Sequence, residues 1–82
     1  YVLLNRRGVS YTGSATDVAR RLAEHNSGKG AKFTKGRGPW RVIHTETFEA
    51  RGPAQAREAA IKKDRKFKAA LKARATNARA SR

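Results

Sequence analysis

Eighty-two residues make one small domain, and a chain of this length buries only ~60% of its unfolded surface, so its core must be compact and its stability marginal. The chain has no cysteine and no methionine, which excludes disulfides, thiolate metal sites and thiol catalysis and fits a cytoplasmic setting. Twenty Lys and Arg against six Asp and Glu leave a formal net charge of +14, a self-repelling surplus that a polyanion relieves, so nucleic acid is the expected partner.

The chain opens on Tyr1 without an initiator methionine and without a charged run leading into an apolar stretch, and it reads as a fragment with no secretory signal of its own. Residues 1–4 are aromatic and apolar, Asn5-Arg6-Arg7-Gly8 has turn chemistry, and residues 9–12 resume a strand pattern, which together predict a β-hairpin. Tyr1 and Tyr11 then lie on adjacent strands, on one face or on two depending on the register. Thr16 as N-cap, with Asp17 favourable at the positive end, starts a helix that fails at Asn26-Ser27-Gly28. Val18, Ala19 and Leu22 are expected to turn inward, and Arg21 and His25 share a face.

Residues 27–38 hold four glycines and four cations, Lys29, Lys32, Lys35 and Arg37, around Phe33, as a mobile loop able to approach a phosphate would. Residues 39–48 form the expected third strand, with Trp40, Val42, His44 and Phe48 competing for the core. Pro53 suits the first turn of a helix to about Lys63, and a second helical stretch from about Arg65 to Ala75 either continues it or follows a kink near Asp64, burying Ile61, Phe67, Ala70 and Leu71. Residues 73–82 offer nothing large to bury and are expected to be a basic, disordered tail. The fold expected is α/β in the wide sense (α+β), a three-stranded antiparallel sheet flanked by helices. No window approaches the ~20 apolar residues of a membrane span. The helical stretches also lack the Leu and Trp face that lipid insertion requires.

Phosphodiester hydrolysis needs a group to orient and deprotonate water, a cation to neutralise charge on the phosphorus, and often a metal at the leaving oxygen. Tyr, Arg and Glu supply those three functions. Taken singly each is ordinary: Tyr in a strand is usually structural, Arg on a helix is usually solvated, and Glu58 is spaced to pair with Lys62.

Their order is less ordinary. The string Tyr1, Tyr11-Thr12-Gly13, Arg21-Leu22, His25-Asn26 and Arg57-Glu58-Ala59-Ala60-Ile61-Lys62-Lys63 resembles the GIY-YIG nuclease family, in particular its small single-domain bacterial members, over residues 1–71. The ten-residue step between motifs sets Tyr1 at the tyrosine that ends the first motif, with the two residues before it absent, and Thr12 stands where the family name has isoleucine. The resemblance implies a nuclease domain over residues 1–72. It further implies that Tyr11 or Tyr1 activates water, Arg21 binds the scissile phosphate, His25 assists proton transfer or binds phosphate, and Glu58 holds one divalent ion, Mg²⁺ or Mn²⁺. Arg21 close to a phenol would lower its pKa, and a single carboxylate suits Mg²⁺, which keeps several waters. His44 has no motif counterpart and reads as structural.

The reading that follows is a metal-dependent endonuclease with weak sequence preference, its cations Lys29, Lys32, Lys35, Arg37, Lys62 and Lys63 gripping DNA, and branched, flapped or damaged DNA among its substrates, as in DNA repair near the nucleoid. RNA is a second polyanion that the same charge would hold. The competing readings are a binding module that keeps the fold without the activity, and a structural basic protein in which Tyr11, Arg21 and Glu58 have no reason to meet.

Overall fold

The structure, a computed structural model, describes residues 1–80. It is the expected α+β fold: β1 (Val2–Asn5), β2 (Ser10–Thr12) and β3 (Trp40–His44) form one antiparallel sheet in the order β2-β1-β3. The central strand β1 is buried along its whole length. The hairpin turn is held by the buried Asn5, whose Oδ1 accepts from the backbone N–H of Arg7 and Val9 at 3.0 and 2.9 Å.

The register answers the question left open by the sequence. Leu3 pairs with Tyr11, and because side chains alternate along a strand, Tyr1, Leu3 and Tyr11 share one face. On β3 the pairing runs Val2↔His44, then Leu3↔Val42, so Ile43 is bulged out of the ladder and packs against the cluster of Val2, Ile61 and Leu71 on the opposite face. The strand ends there, short of the expected residue 48. Phe48, expected in the core, is 39% exposed, because residues 45–50 form the connection out of the sheet.

Helix α1 (Val18–Asn26) packs on the tyrosine face. Its cap is Asp17, one residue later than expected: Asp17 Oδ1 accepts from Arg20 N–H at 3.0 Å. Val18, Leu22 and His25 follow i, i+4, i+7 spacing and turn inward, whereas Ala19 falls off that stripe and is exposed.

The connection after α1 contains a short 3₁₀ turn, Lys32–Thr34, and is fastened rather than loose. Asn5 Nδ2 donates to Arg37 O at 3.0 Å, and the Trp40 indole donates to Thr34 O at 3.1 Å. Asn26 holds both backbone groups of Trp40, donating to its carbonyl at 3.1 Å and accepting from its N–H at 2.6 Å.

Helix α2 (Arg51–Lys63) and helix α3 (Arg65–Ala80) cover the other face, burying Ile61 and Leu71 with Phe67 half-buried beside them. Asp64 separates the two helices, which settles whether the second stretch continues the first: its own backbone leaves the helical region, while its carboxylate accepts from Phe67 N–H at 2.9 Å and caps α3. Ala70 lies off the Phe67–Leu71 stripe and is exposed.

Helix α3 runs on to Ala80, where a disordered tail was expected from residue 73, since Ala and Arg are good helix formers and no Gly or Pro stops them. Residues 81–82 of that tail lie outside the described residues. Among the described residues no helix is long and apolar enough to cross a membrane.

Candidate active site

The sheet face under α1 brings together four of the five residues singled out by the motif match. Tyr1 and Tyr11 have ring centroids 6.5 Å apart, and the His25 ring lies 5.9 Å from the first and 5.0 Å from the second. Arg21, one turn before His25, stands beside the Tyr1 hydroxyl while one of its nitrogens holds Glu24 Oε1 at 3.0 Å. Two glycines make this approach possible. A Cβ on Gly13 would sit 2.7 Å from the Tyr1 hydroxyl oxygen, and one on Gly30 would sit 2.9 Å from the His25 Cα.

His25 is 1% exposed and both its ring nitrogens are engaged, Nε2 with the Tyr1 hydroxyl at 2.8 Å and Nδ1 with Thr34 Oγ1 at 2.7 Å. The tautomer follows from the outermost link. Thr34 Oγ1 donates its single proton to Ala31 O at 2.8 Å, so toward His25 it can only accept, and Nδ1 carries the ring proton. Burial, with the charge of Arg21, pushes the His25 pKa below its usual 6.5, so the ring is neutral at pH 7 and Nε2 is a free lone pair. The Tyr1 hydroxyl therefore donates to it, and the chain of donors runs Tyr1 → His25 → Thr34 → Ala31. Thr34, completely buried, is a site residue that the sequence reading passed over; its place in the run Gly30-Ala31-Lys32-Phe33-Thr34 after His25 was the available signal.

The Tyr1 phenol does not behave as expected. Burial raises its pKa above 10.0; Arg21 works in the other direction and does not prevail. The resting side chain is a phenol, and using its oxygen as a base requires an acceptor for its proton.

Glu58 reaches the same neighbourhood from the other layer. A groove of about 600 Å³ is lined by Tyr1, Gly13 and Ser14 on the hairpin side and by Glu46 and Glu58 on the other, with His44 at the end of β3 between them. Tyr11, Arg21 and His25 are not among its lining residues and meet it through Tyr1. Burial acts to raise the Glu58 pKa, but hydrogen bonds from Lys62 and Ser14 outweigh it and the net shift is downward, so Glu58 is a carboxylate at neutral pH. Its partner is Lys62 Nζ at 2.9 Å, the i, i+4 pair that spacing alone suggested. Among the described residues no three His, Asp or Glu side chains converge as a metal cage. A hard, ionised carboxylate opening on a groove beside a hydroxyl nevertheless fits Mg²⁺ or Mn²⁺, which take few protein ligands and keep their water.

The rotation of α2 that aims Glu58 at the groove is set by its neighbour in sequence. Arg57 forks onto Glu46, Nε to Oε1 at 2.9 Å and Nη2 to Oε2 at 3.1 Å, and its guanidinium lies over the Phe67 ring at 5.1 Å. His44 Nε2 meets the same carboxylate at 2.8 Å and its ring meets Phe67 edge-on, which gives His44 its structural place. Hydrogen bonds from Arg57 and His44 hold the Glu46 pKa at about 2 against a normal 4.5. That depression favours folding above pH 4.5, and the advantage disappears as pH falls from 4.5 toward 2. Glu46→Gln is thus expected to lower the melting temperature at pH 7 and to flatten its decline between those two values, as thermal unfolding monitored by circular dichroism would read.

The remaining predicted cations divide into two groups. Lys29, Lys32, Lys35 and Arg37 are exposed on the connection after α1. Lys63 is exposed on α2, whereas Lys62 is committed to Glu58, whose carboxylate raises the Lys62 pKa.

Residues 1–71 match the family model of the GIY-YIG catalytic domain. The chain is similar to a UPF0213 protein of Halobacterium salinarum, 52% identical over 62 residues that cover 76% of this chain and 80% of that protein. It is similar also to a UPF0213 protein of Enterococcus faecalis, 54% identical over 65 residues covering 77% and 74%. No solved structure matches it significantly. The family match runs from the first tyrosine of the hairpin through the buried leucine of α3, and the chain belongs to the GIY-YIG nuclease family.

Proposed function

We propose that the protein is a divalent-metal-dependent endonuclease that hydrolyses phosphodiester bonds in DNA with weak sequence preference. The observation that carries this reading is Tyr1, whose hydroxyl donates to the neutral His25 and which also lines the groove that holds the ionised Glu58. Tyr1 is the water-activating tyrosine, because it has a proton acceptor. Its hydroxyl proton passes to His25 Nε2, and the Tyr1 oxygen takes the proton of the attacking water as the water oxygen bonds to phosphorus. The imidazolium formed is stabilised through Nδ1–H by Thr34, and Tyr11 packs the two rings into place.

Arg21 presents a planar fork to the phosphate oxygens, an arrangement Lys would not reproduce. Glu58 and Ser14 are the residues that would hold Mg²⁺ or Mn²⁺, Lys62 releasing the carboxylate and turning to the phosphate. The bound ion supplies Lewis acidity at the phosphate and charge neutralisation at the departing oxygen. Lys29, Lys32, Lys35, Arg37 and Lys63 add affinity without sequence information, so binding falls with salt by ~0.9 log units per phosphate neutralised per log unit of salt on duplex DNA.

Incubation of supercoiled plasmid and of a panel of branched, flapped and linear DNAs with Mg²⁺ or Mn²⁺ tests the reading. Metal-dependent nicks that chelation suppresses are expected. Intact DNA across the whole panel, with binding that still weakens steeply in salt, would leave a binding module that has kept the fold alone.

A further inference from the structure

We propose that Phe33, with Arg37 laid over it, is a stacking platform for an unpaired nucleobase beside the cut phosphate, and that the preferred DNA is accordingly a single strand. The proposal rests on the nuclease reading for the position of the cut, and on independent geometry for the platform. Phe33 is 44% exposed although its backbone belongs to the fastened 3₁₀ turn and the next residue, Thr34, is completely buried. An isolated exposed apolar ring is ordinary. This one continues an aromatic row: its plane lies 21° from that of Tyr11 with centroids 6.0 Å apart, Tyr11 in turn is 5.0 Å from His25, and the buried Trp40 backs it at 6.4 Å. The ring therefore stands one aromatic step from the Tyr1–His25 pair.

Charge surrounds it. The Arg37 guanidinium is 4.9 Å from the ring centroid, and Lys29, Lys32 and Lys35 are exposed on the same connection. A guanidinium plane over an aromatic ring extends the stack toward an incoming base and offers its N–H fork to the adjoining phosphate. Within a duplex each base has both faces covered by its neighbours, so a fixed ring finds a free base face only where the strand is unpaired. The apolar cluster that holds the fold lies on the opposite side of the sheet, which leaves this ring available to a ligand.

Binding is measured by fluorescence anisotropy in EDTA, which separates it from cutting, with a single-stranded oligonucleotide and its duplex form. Wild type is expected to favour the single strand. Phe33→Leu should weaken the single strand about tenfold and leave the duplex unchanged, while Phe33→Trp retains the preference. A 2-aminopurine in the bound single strand should lose fluorescence on wild type, a readout that requires no variant to fold. An unquenched base at every position, equal affinity for the two forms, or an equal loss on both with Phe33→Leu overturns the platform. Absence of cutting with Mn²⁺, with the preference and quenching intact, overturns the nuclease reading and leaves the platform standing.

Discussion

Glu58→Ala is expected to remove metal-dependent cleavage, by roughly 10³-fold, while DNA affinity stays the same or rises slightly. The size follows from losing the half-buried groove carboxylate beside Ser14: Glu46 also lines the groove, but Arg57 and His44 hold both its oxygens, and Glu49 lies exposed on the connection after β3. A Lewis acid contributes several kcal/mol to phosphoryl transfer, and each ~1.4 kcal/mol is a factor of ten in rate. The sign on affinity follows from Lys62. Its ammonium is bound to Glu58 at 2.9 Å, and the substitution both deletes one negative charge and frees one positive charge for phosphate. Nicking rates in Mn²⁺ set against anisotropy at the same salt would read the two effects separately. Equal cutting by both proteins would remove Glu58 from the chemistry.

The second large effect is expected at His25. His25→Ala deletes the acceptor of the Tyr1 proton, and loss of such a proton-transfer group costs about 10²–10⁴-fold, in kcat more than in KM. It also opens a cavity in the tyrosine face and leaves the Thr34 hydroxyl oxygen short of a donor, at about 2–4 kcal/mol in stability. Activity should be assayed well below the variant's melting temperature. Thr34→Val tests the tautomer argument more gently, since it strands the Nδ1 proton in the interior at about 1–3 kcal/mol, and Thr34→Ser restores the acceptor. Comparable rates in Thr34→Val and wild type at matched stability would show that the histidine does not need its second partner.

The pH dependence has a definite sign. The folded-state pKa of His25 lies below 6.5, so as pH falls from that value the unfolded chain takes up a proton before the folded one does. Stability is therefore full above pH 6.5 and declines below it until the folded histidine also titrates. The acid limb of the cleavage profile belongs to the same group, because only the neutral ring can accept from Tyr1. That limb should lie below pH 6.5 and shift in Thr34→Val.

Much of the architecture was legible because its signals lie between near neighbours in sequence. The hairpin turn at residues 5–8, the stop after Asn26 and Pro53 in the first turn of α2 are each decided by a few adjacent residues, and the structure places all of them where composition and periodicity put them, while it breaks the helix at Asp64, where the sequence left continuation and kink open. The misplacements have specific causes. The bulge at Ile43 broke the alternation that had carried the third strand to Phe48, and the alanines after residue 73, read as having nothing to bury, are also good helix formers. Capping passed from Thr16 to Asp17 because either side chain can serve and the local geometry chooses.

The candidate site divides along the same line. Tyr1, Tyr11, Arg21, His25 and Glu58 were singled out by the family resemblance that their order along the chain carries, each being ordinary when taken singly. Which of them touch was a matter for the tertiary structure. Tyr1 meets His25 across 24 positions, His25 meets Thr34 across nine, and Glu46 meets Arg57 across 11. None of those pairings is encoded in a local propensity, because each exists only once the sheet register is set and the helices are packed on its two faces. The direction of the Tyr1 pKa was decided there as well: the chain's composition supplied the cations that would lower it, and the packing supplied the burial that raises it.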